Sequence, residues 1–141
     1  MASFNGNEWA NRVAVPAVMN KAYVDGGRVR IKFFSWTTSS PAQNDTVNLC
    51  VLPAGAILLS GFVQFEAMGT SATLDIGISG TAQKYAAAIN VAAIGTASFL
   101  NTAALNFALV ETTDENIIAT MSGAAWTTGK KVNGYIFFVK D

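Results

Sequence analysis

Residues 28–36, RVRIKFFSW, set Val29, Ile31 and Phe33 against Arg28, Arg30 and Lys32 in strict alternation. A period of two is the mark of a half-buried β-strand, one face in the core and the other toward water or a partner. This reading sends Val29, Ile31 and Phe33 inward. Less regular runs of the same kind recur at TVNLCVL (46–52), ILLSGFVQFEA (57–67), SATLDIGIS (71–79), ALNFALVE (104–111), NIIATMS (116–122) and VNGYIFFVK (132–140). VAVPAVM (13–19) and TASFL (96–100) add two candidates, for eight or nine strands in all. Gly, Pro, Asn, Asp, Ser and Thr gather in the gaps, where turns need them.

Many short strands with regular turn signals predict an all-β fold, a single-domain β-sandwich of the jelly-roll kind. The interruption is TAQKYAAAINVAAIG (81–95), whose alanines favour helix. The expectation is one short helix over Gln83 to Asn90, with an Ala-rich strand as the alternative. Residues 1–27 lack sustained periodicity and carry Pro16 and the Gly26–Gly27 pair, so they are expected to form an extended N-terminal arm ahead of a sandwich domain spanning 28–141.

The stretch LLSGFVQFEAMGTSATLDIGIS (58–79) is expected to form a hairpin with AMGT at its tip, pairing Glu66 with Ser71. That register sets Phe65 against Ala72, Val63 against Leu74 and Gly61 against Ile76, so apolar residues meet apolar residues or Gly. Leu58 and Phe62 fall on the polar face. Glu66 and Asp75 then lie about 13 Å apart, too far for the paired carboxylates of a glycosidase.

Composition narrows the function. The 141 residues are long enough to bury a core without disulfides or metal. Charged residues make up only 13%, nine basic against nine acidic, which suits a surface covered by neighbours. Phosphate recognition needs a clustered basic excess, so nucleic acid is not expected as a partner. No apolar run nears the roughly 18 residues of a membrane span, and the N-terminus lacks the pattern of a secretory signal; no membrane is expected, and synthesis in the cytoplasm is.

The chain has no His, and its one thiol, Cys50, lacks an imidazole to activate it. GxSxG, GxGxxG and GxxxxGK[ST] patterns are missing. Lys84 and Tyr85 are neighbours with nothing to mark them as a pair. ETTDEN (111–116) lacks the DxDxDG spacing of a calcium loop and reads as a solvated turn. No catalytic residue, metal site or cofactor is therefore expected. Trp9, Trp36 and Trp126 are the sugar-stacking candidates, which keeps open a carbohydrate-binding sandwich for host attachment; core or seam positions are the simpler reading.

Residues 48–99 resemble a pattern of small structural proteins from tailed-bacteriophage heads. The shared elements are LPAGA leading into a strand, the apolar pair of runs, TLDIGISGTAQKY and a Gly-Thr-Ala continuation. In length and character the chain is similar to capsid cement, or decoration, proteins, including that of a Bordetella phage. The resemblance implies a non-enzymatic jelly roll on the outside of the phage head, made in the host cytoplasm and bridging neighbouring subunits of the major capsid protein, with self-association as a homodimer. A head-fibre or tail component is the alternative within the virion. The resemblance assigns no contact residues; Phe4, Trp9 and Arg12 of the arm and Phe62 of the apolar run are the expected capsid or self contacts.

Overall fold

The computed structural model describes residues 28–98 and 111–140. They form eight strands: β1 (Val29–Thr37), β2 (Thr46–Leu52), β3 (Ala56–Phe65), β4 (Thr73–Ile78), β5 (Thr81–Asn90), β6 (Gly95–Ser98), β7 (Glu115–Ser122) and β8 (Lys131–Lys140). One sheet has the order β1-β8-β3-β6 and the other β2-β7-β4-β5. Every strand pair is antiparallel. Successive strands change sheet at each step except β4 to β5, the winding of a jelly roll around one core.

Six of the predicted runs become strands close to their expected bounds, and TASFL contributes β6 through Ser98. VAVPAVM and ALNFALV lie outside the described residues, as does the expected arm.

Three expectations are corrected. First, 58–79 is not a hairpin. β3 bonds to β8 and β6, whereas β4 bonds to β5 and β7. The intervening link crosses from one sheet to the other. Met68, fully buried, anchors it: its N–H donates to Val91 O at 3.0 Å, and its carbonyl accepts from Thr127 N at 2.8 Å. Val63, Phe65, Leu74 and Ile76 do meet in one core, but across the sandwich instead of side by side. Apolar matching cannot distinguish those two arrangements, since each buries the same alternate residues.

Second, β1 presents the opposite face. Val29, Ile31 and Phe33 are 56%, 59% and 57% exposed, whereas Phe34 is 5% exposed and Trp36 packs against the core. Phe34 sits opposite Gly134 of β8. A Cβ at Gly134 would fall 2.2 Å from the Phe34 ring and 2.5 Å from the Phe62 carbonyl oxygen, so only glycine leaves room for the ring. Lys32 tolerates the inward side because it reaches over the Phe138 ring, 5.8 Å from its centroid, to the Val51 carbonyl.

Third, Thr81–Asn90 is a strand, the alternative reading, and not a helix. Its ladder with β4 carries a bulge: Leu74 pairs with Ile89 and Ile76 with Ala86, leaving Ala87 and Ala88 opposite Asp75. Ala88 takes φ +51°, and its N–H donates to the Asp75 carboxylate at 2.7 Å.

Each large aliphatic side chain taken fully from water contributes about 1.5–3 kcal/mol. Leu52, Leu58, Val63, Leu74, Ile76, Ile117, Val132 and Ile136 are all buried in this single core.

Candidate functional site

Among the described residues, Lys84, Tyr85, Glu111 and Glu115 form a cluster that residue spacing alone does not bring together. Tyr85, on β5, is fully buried, and its hydroxyl lies 2.7 Å from Glu111 Oε1 and 2.8 Å from Glu115 Oε2. Lys84 Nζ reaches the same two carboxylates, 3.0 Å from Glu111 Oε2 and 2.5 Å from Glu115 Oε2, with its ammonium 5.2 Å from the Tyr85 ring centroid. The turn expected over ETTDEN is solvated at Thr112, Thr113 and Asp114, but Glu111, only 3% exposed, and half-buried Glu115 are turned toward the fold and depart from that expectation. The Glu111 backbone bonds to the start of β3 in the other sheet: Gly55 N–H donates to Glu111 O at 2.7 Å, and Glu111 N–H to Ala56 O at 2.9 Å. Asp114 Oδ1 accepts from Ala54 N–H at 2.8 Å.

The electrostatics fit a clamp. Burial, followed by the hydrogen bonds to Glu111 and Glu115, pushes the Tyr85 hydroxyl far above its ordinary range, so it stays protonated. Burial opposes the Lys84 charge, but pairing with Glu115 and Glu111 outweighs it and leaves the ammonium above its usual value. Burial likewise opposes ionisation of Glu115, and hydrogen bonds from Lys84 and Tyr85 together with the Lys84 charge prevail, holding its carboxyl below the ordinary value. A general base works best with a pKa near working pH, and both Tyr85 and Lys84 are moved away from it. The group holds protons and ties β5 and β7 to the opposite sheet.

The other candidate chemistries are dispersed. Glu66, at the end of β3, accepts from Lys131 N–H at 2.7 Å, whereas Asp75 in the opposite sheet accepts from Ala88 N–H and from Ser122 Oγ at 2.9 Å. Their predicted separation rested on the hairpin and lapses with it. Among the described residues no group of His, Cys, Asp or Glu could hold a metal ion. Burial raises the Cys50 thiol above its ordinary value against the pull of Lys32, away from the reactive thiolate. Trp126 is 4% exposed and offers no stacking platform, whereas half-buried Trp36 packs at the core edge and lines a groove with Thr38, Pro41 and Asp45; Trp9 lies outside the described residues.

What the structure does expose is an apolar surface. On the outer face of β1-β8-β3-β6, Phe33 meets Tyr135 with ring centroids 5.2 Å apart, Tyr135 meets Phe62 at 5.1 Å, and Phe62 meets Phe137 at 6.4 Å. Four rings thus cross three strands, flanked by Val29, Ile31 and the 41%-exposed Leu59. The row leads into an open groove of about 590 Å³ lined by Gln64, Glu66, Ile94, Thr96 and Asn133. Of the expected contact residues, Phe62 lies in this row. Phe4, Trp9 and Arg12 lie outside the described residues. Leu58, expected beside Phe62, is instead 1% exposed, because a bulge between Leu58 and Ser60 turns it inward.

No protein-family model and no curated sequence matches the chain. Three chains in solved phage capsids share this fold. One is from the cyanophage Pam1 capsid asymmetric unit, at 21% identity and a TM-score of 0.72 over 100% of both chains. Another is from the capsid of Ralstonia phage GP4, at 25% identity and a TM-score of 0.67 over 82% of this chain and 86% of that one. A third is from the acid-stable capsid of Helicobacter pylori bacteriophage KHP30, at 16% identity and a TM-score of 0.58 over 80% and 89%. The likeness supports a structural role in a virion.

Proposed function

We propose that this chain is a capsid cement protein, bound to the outside of a phage head and bridging neighbouring subunits of the major capsid protein. The observation that carries the reading is the recurrence of this fold in three phage capsids, once over the full length of both chains. The low charge and the exposed aromatic row agree with a protein whose working surface is other protein. In this reading it is not an enzyme, needs no cofactor, binds no nucleic acid or membrane, and partners the shell and a second copy of itself. The N-terminal arm, with Phe4, Trp9 and Arg12, supplies contacts to the shell.

The mechanism is mass action. A protein that binds the assembled lattice and not its separated subunits stabilises the assembled state in proportion to occupancy. Many modest contacts per shell act together, so no single one need be tight. Shells prepared without the protein, then mixed with it and sedimented, are expected to take it up saturably at many copies and to melt at a higher temperature. Uptake of a few copies only would point to a vertex, fibre or tail position. No uptake, together with glycan binding, would point to host attachment.

A further inference from the structure

We propose that the groove at the seam between β1 and β2, built around Trp36 and Asp45, holds an uncharged saccharide. The proposal stands apart from the shell contact in the reading above, since neither requires the other.

The first observation is the place and lining of the groove. β1 and β2 are edge strands of opposite sheets, and the link between them crosses from one sheet to the other. There an open groove of about 490 Å³ runs from the end of β1 to the start of β2, with Trp36, Pro41, Val47 and Met121 as its apolar lining. Small-molecule sites of this size combine such a lining with a few placed polar groups.

The second is the polar set. Thr37, Ser39 and Thr46 bring exposed hydroxyls to the groove, and none of these hydroxyls has a partner among the described residues. Asp45 accepts from Ala42 N–H through Oδ2 at 2.8 Å, which leaves Oδ1 open. The Trp36 indole N–H is buried without an acceptor. A buried donor left unpaired carries a cost, so a ligand that brings an acceptor to the ring gains by relieving it. A pyranose supplies each complement: C–H groups on one face for the indole, and rim hydroxyls that both donate to Asp45 and accept from Trp36. A Lys or Arg side chain would meet Asp45 and the ring but has no acceptor for the indole N–H. Asp45 is the one charged residue in the lining, so an acidic sugar meets a like charge and an uncharged one does not.

The third is preorganisation. Trp36 is stacked on Phe34, ring centroids 6.1 Å apart and planes at 29°. The link is tied down as well: Asn44 N–H donates to Met121 O at 2.7 Å, Met121 N–H to Asp45 O at 2.9 Å, and Ser40 N–H to Thr128 Oγ1 at 3.2 Å. Ser40 and Asn44 hold left-handed backbone, φ +44° and +72°, a conformation that gathers at ligand clamps. Walls fixed beforehand lose less entropy when a ligand enters.

NMR of the indole N–H groups of the full chain reads the site directly, with the Trp36 resonance assigned by its loss in Trp36→Phe. The probes are uncharged disaccharides built from glucose, galactose and mannose, the acidic sugar N-acetylneuraminic acid, and a short peptide of Lys and Arg. At least one uncharged disaccharide is expected to shift the Trp36 resonance saturably and leave that of Trp126 in place, with the acidic sugar weaker by about tenfold. Asp45→Asn, which keeps an oxygen for Ala42 N–H, is expected to weaken the uncharged ligand by about tenfold and to narrow the gap to the acidic one. Gln64→Ala, in the other groove, should change neither. Far-UV circular dichroism confirms that each variant is folded. No shift with any uncharged disaccharide, a shift that Asp45→Asn leaves at full strength, or a shift with the basic peptide alone overturns the proposal. Shell co-sedimentation keeps the two readings distinct: saccharide binding by a chain that shells do not take up overturns the cement reading alone, and uptake without saccharide binding overturns the proposal alone.

Discussion

The two outer faces of this sandwich solve the same problem in opposite ways. On β2-β7-β4-β5 the polar groups are spent on the molecule itself: Asp75 accepts from Ala88 N–H and Ser122 Oγ, Thr73 and Ser122 hydroxyls lie 2.9 Å apart, and Asn116 reaches Asn48. On β1-β8-β3-β6 the exposed rings of Phe33 and Tyr135 rest beside half-buried Phe62 and Phe137, with aliphatic flanks. One face is finished in the isolated chain, and the other gains by being covered. Substitutions on the first should therefore register in folding stability, and those on the second in association.

The largest expected loss of stability lies in the clamp beside the self-satisfied sheet. Glu111→Ala removes a buried carboxylate that Lys84 and Tyr85 both address, and should lower stability by about 3 kcal/mol in urea unfolding. Tyr85→Phe, which keeps the ring and deletes the hydroxyl, should lose about 1 kcal/mol. Next comes Asp75→Ala, which strips the acceptor from Ala88 N–H and Ser122, at about 2 kcal/mol. Ala88→Gly should recover up to about 1 kcal/mol, because φ +51° suits glycine. None of these should alter uptake by shells. If Asp75→Ala abolishes that uptake without loss of fold stability, the division between the faces fails.

The clamp also gives stability a pH dependence with a definite sign. The Glu115 carboxyl is held below its ordinary value in the folded state. Its contribution is therefore complete above the unfolded value of about 4.3 and fades as pH falls through the lower folded value. Lys84 and Tyr85 are raised, so their contribution is complete below about 10 and fades as pH climbs through the folded values. Melting temperature should be flat through neutral pH and fall at both ends. Glu115→Gln should flatten the acidic fall. The smallest expected change in stability, within about 0.5 kcal/mol, is for Ile31→Glu and Phe33→Glu on the exposed face.

The sandwich was legible because period-two runs separated by turn residues report strands whatever their partners. The pairing was not, because the apolar set of 58–79 fits a hairpin and a pair of facing strands equally well. The inversion of β1 has a local cause. RVRIKFFSW is apolar at both parities from Phe33 onward, and the charges that suggested an outer face lie near one end, where Lys32 escapes over Phe138 to the Val51 carbonyl. Alanine's helical preference at 81–90 lost to the ladder with β4, with the bulge at Ala88 absorbed by Asp75. The clamp was hidden for a different reason. Lys84 and Tyr85 are sequence neighbours, and their partners come from β7 and the segment before it, which only the winding of the fold brings near. A buried Tyr beside a Lys, followed later by two carboxylates four residues apart, is the faint signal that was available.

The central claim, that this chain works by covering seams on an assembled phage shell, is tested most directly by adding the purified protein to shells that lack it. Copy number and shell melting temperature are then read together. The account predicts saturable uptake at many copies per shell with a rise in melting temperature that follows occupancy. Saturation at a few copies, or uptake that leaves the melting temperature unchanged, would contradict it.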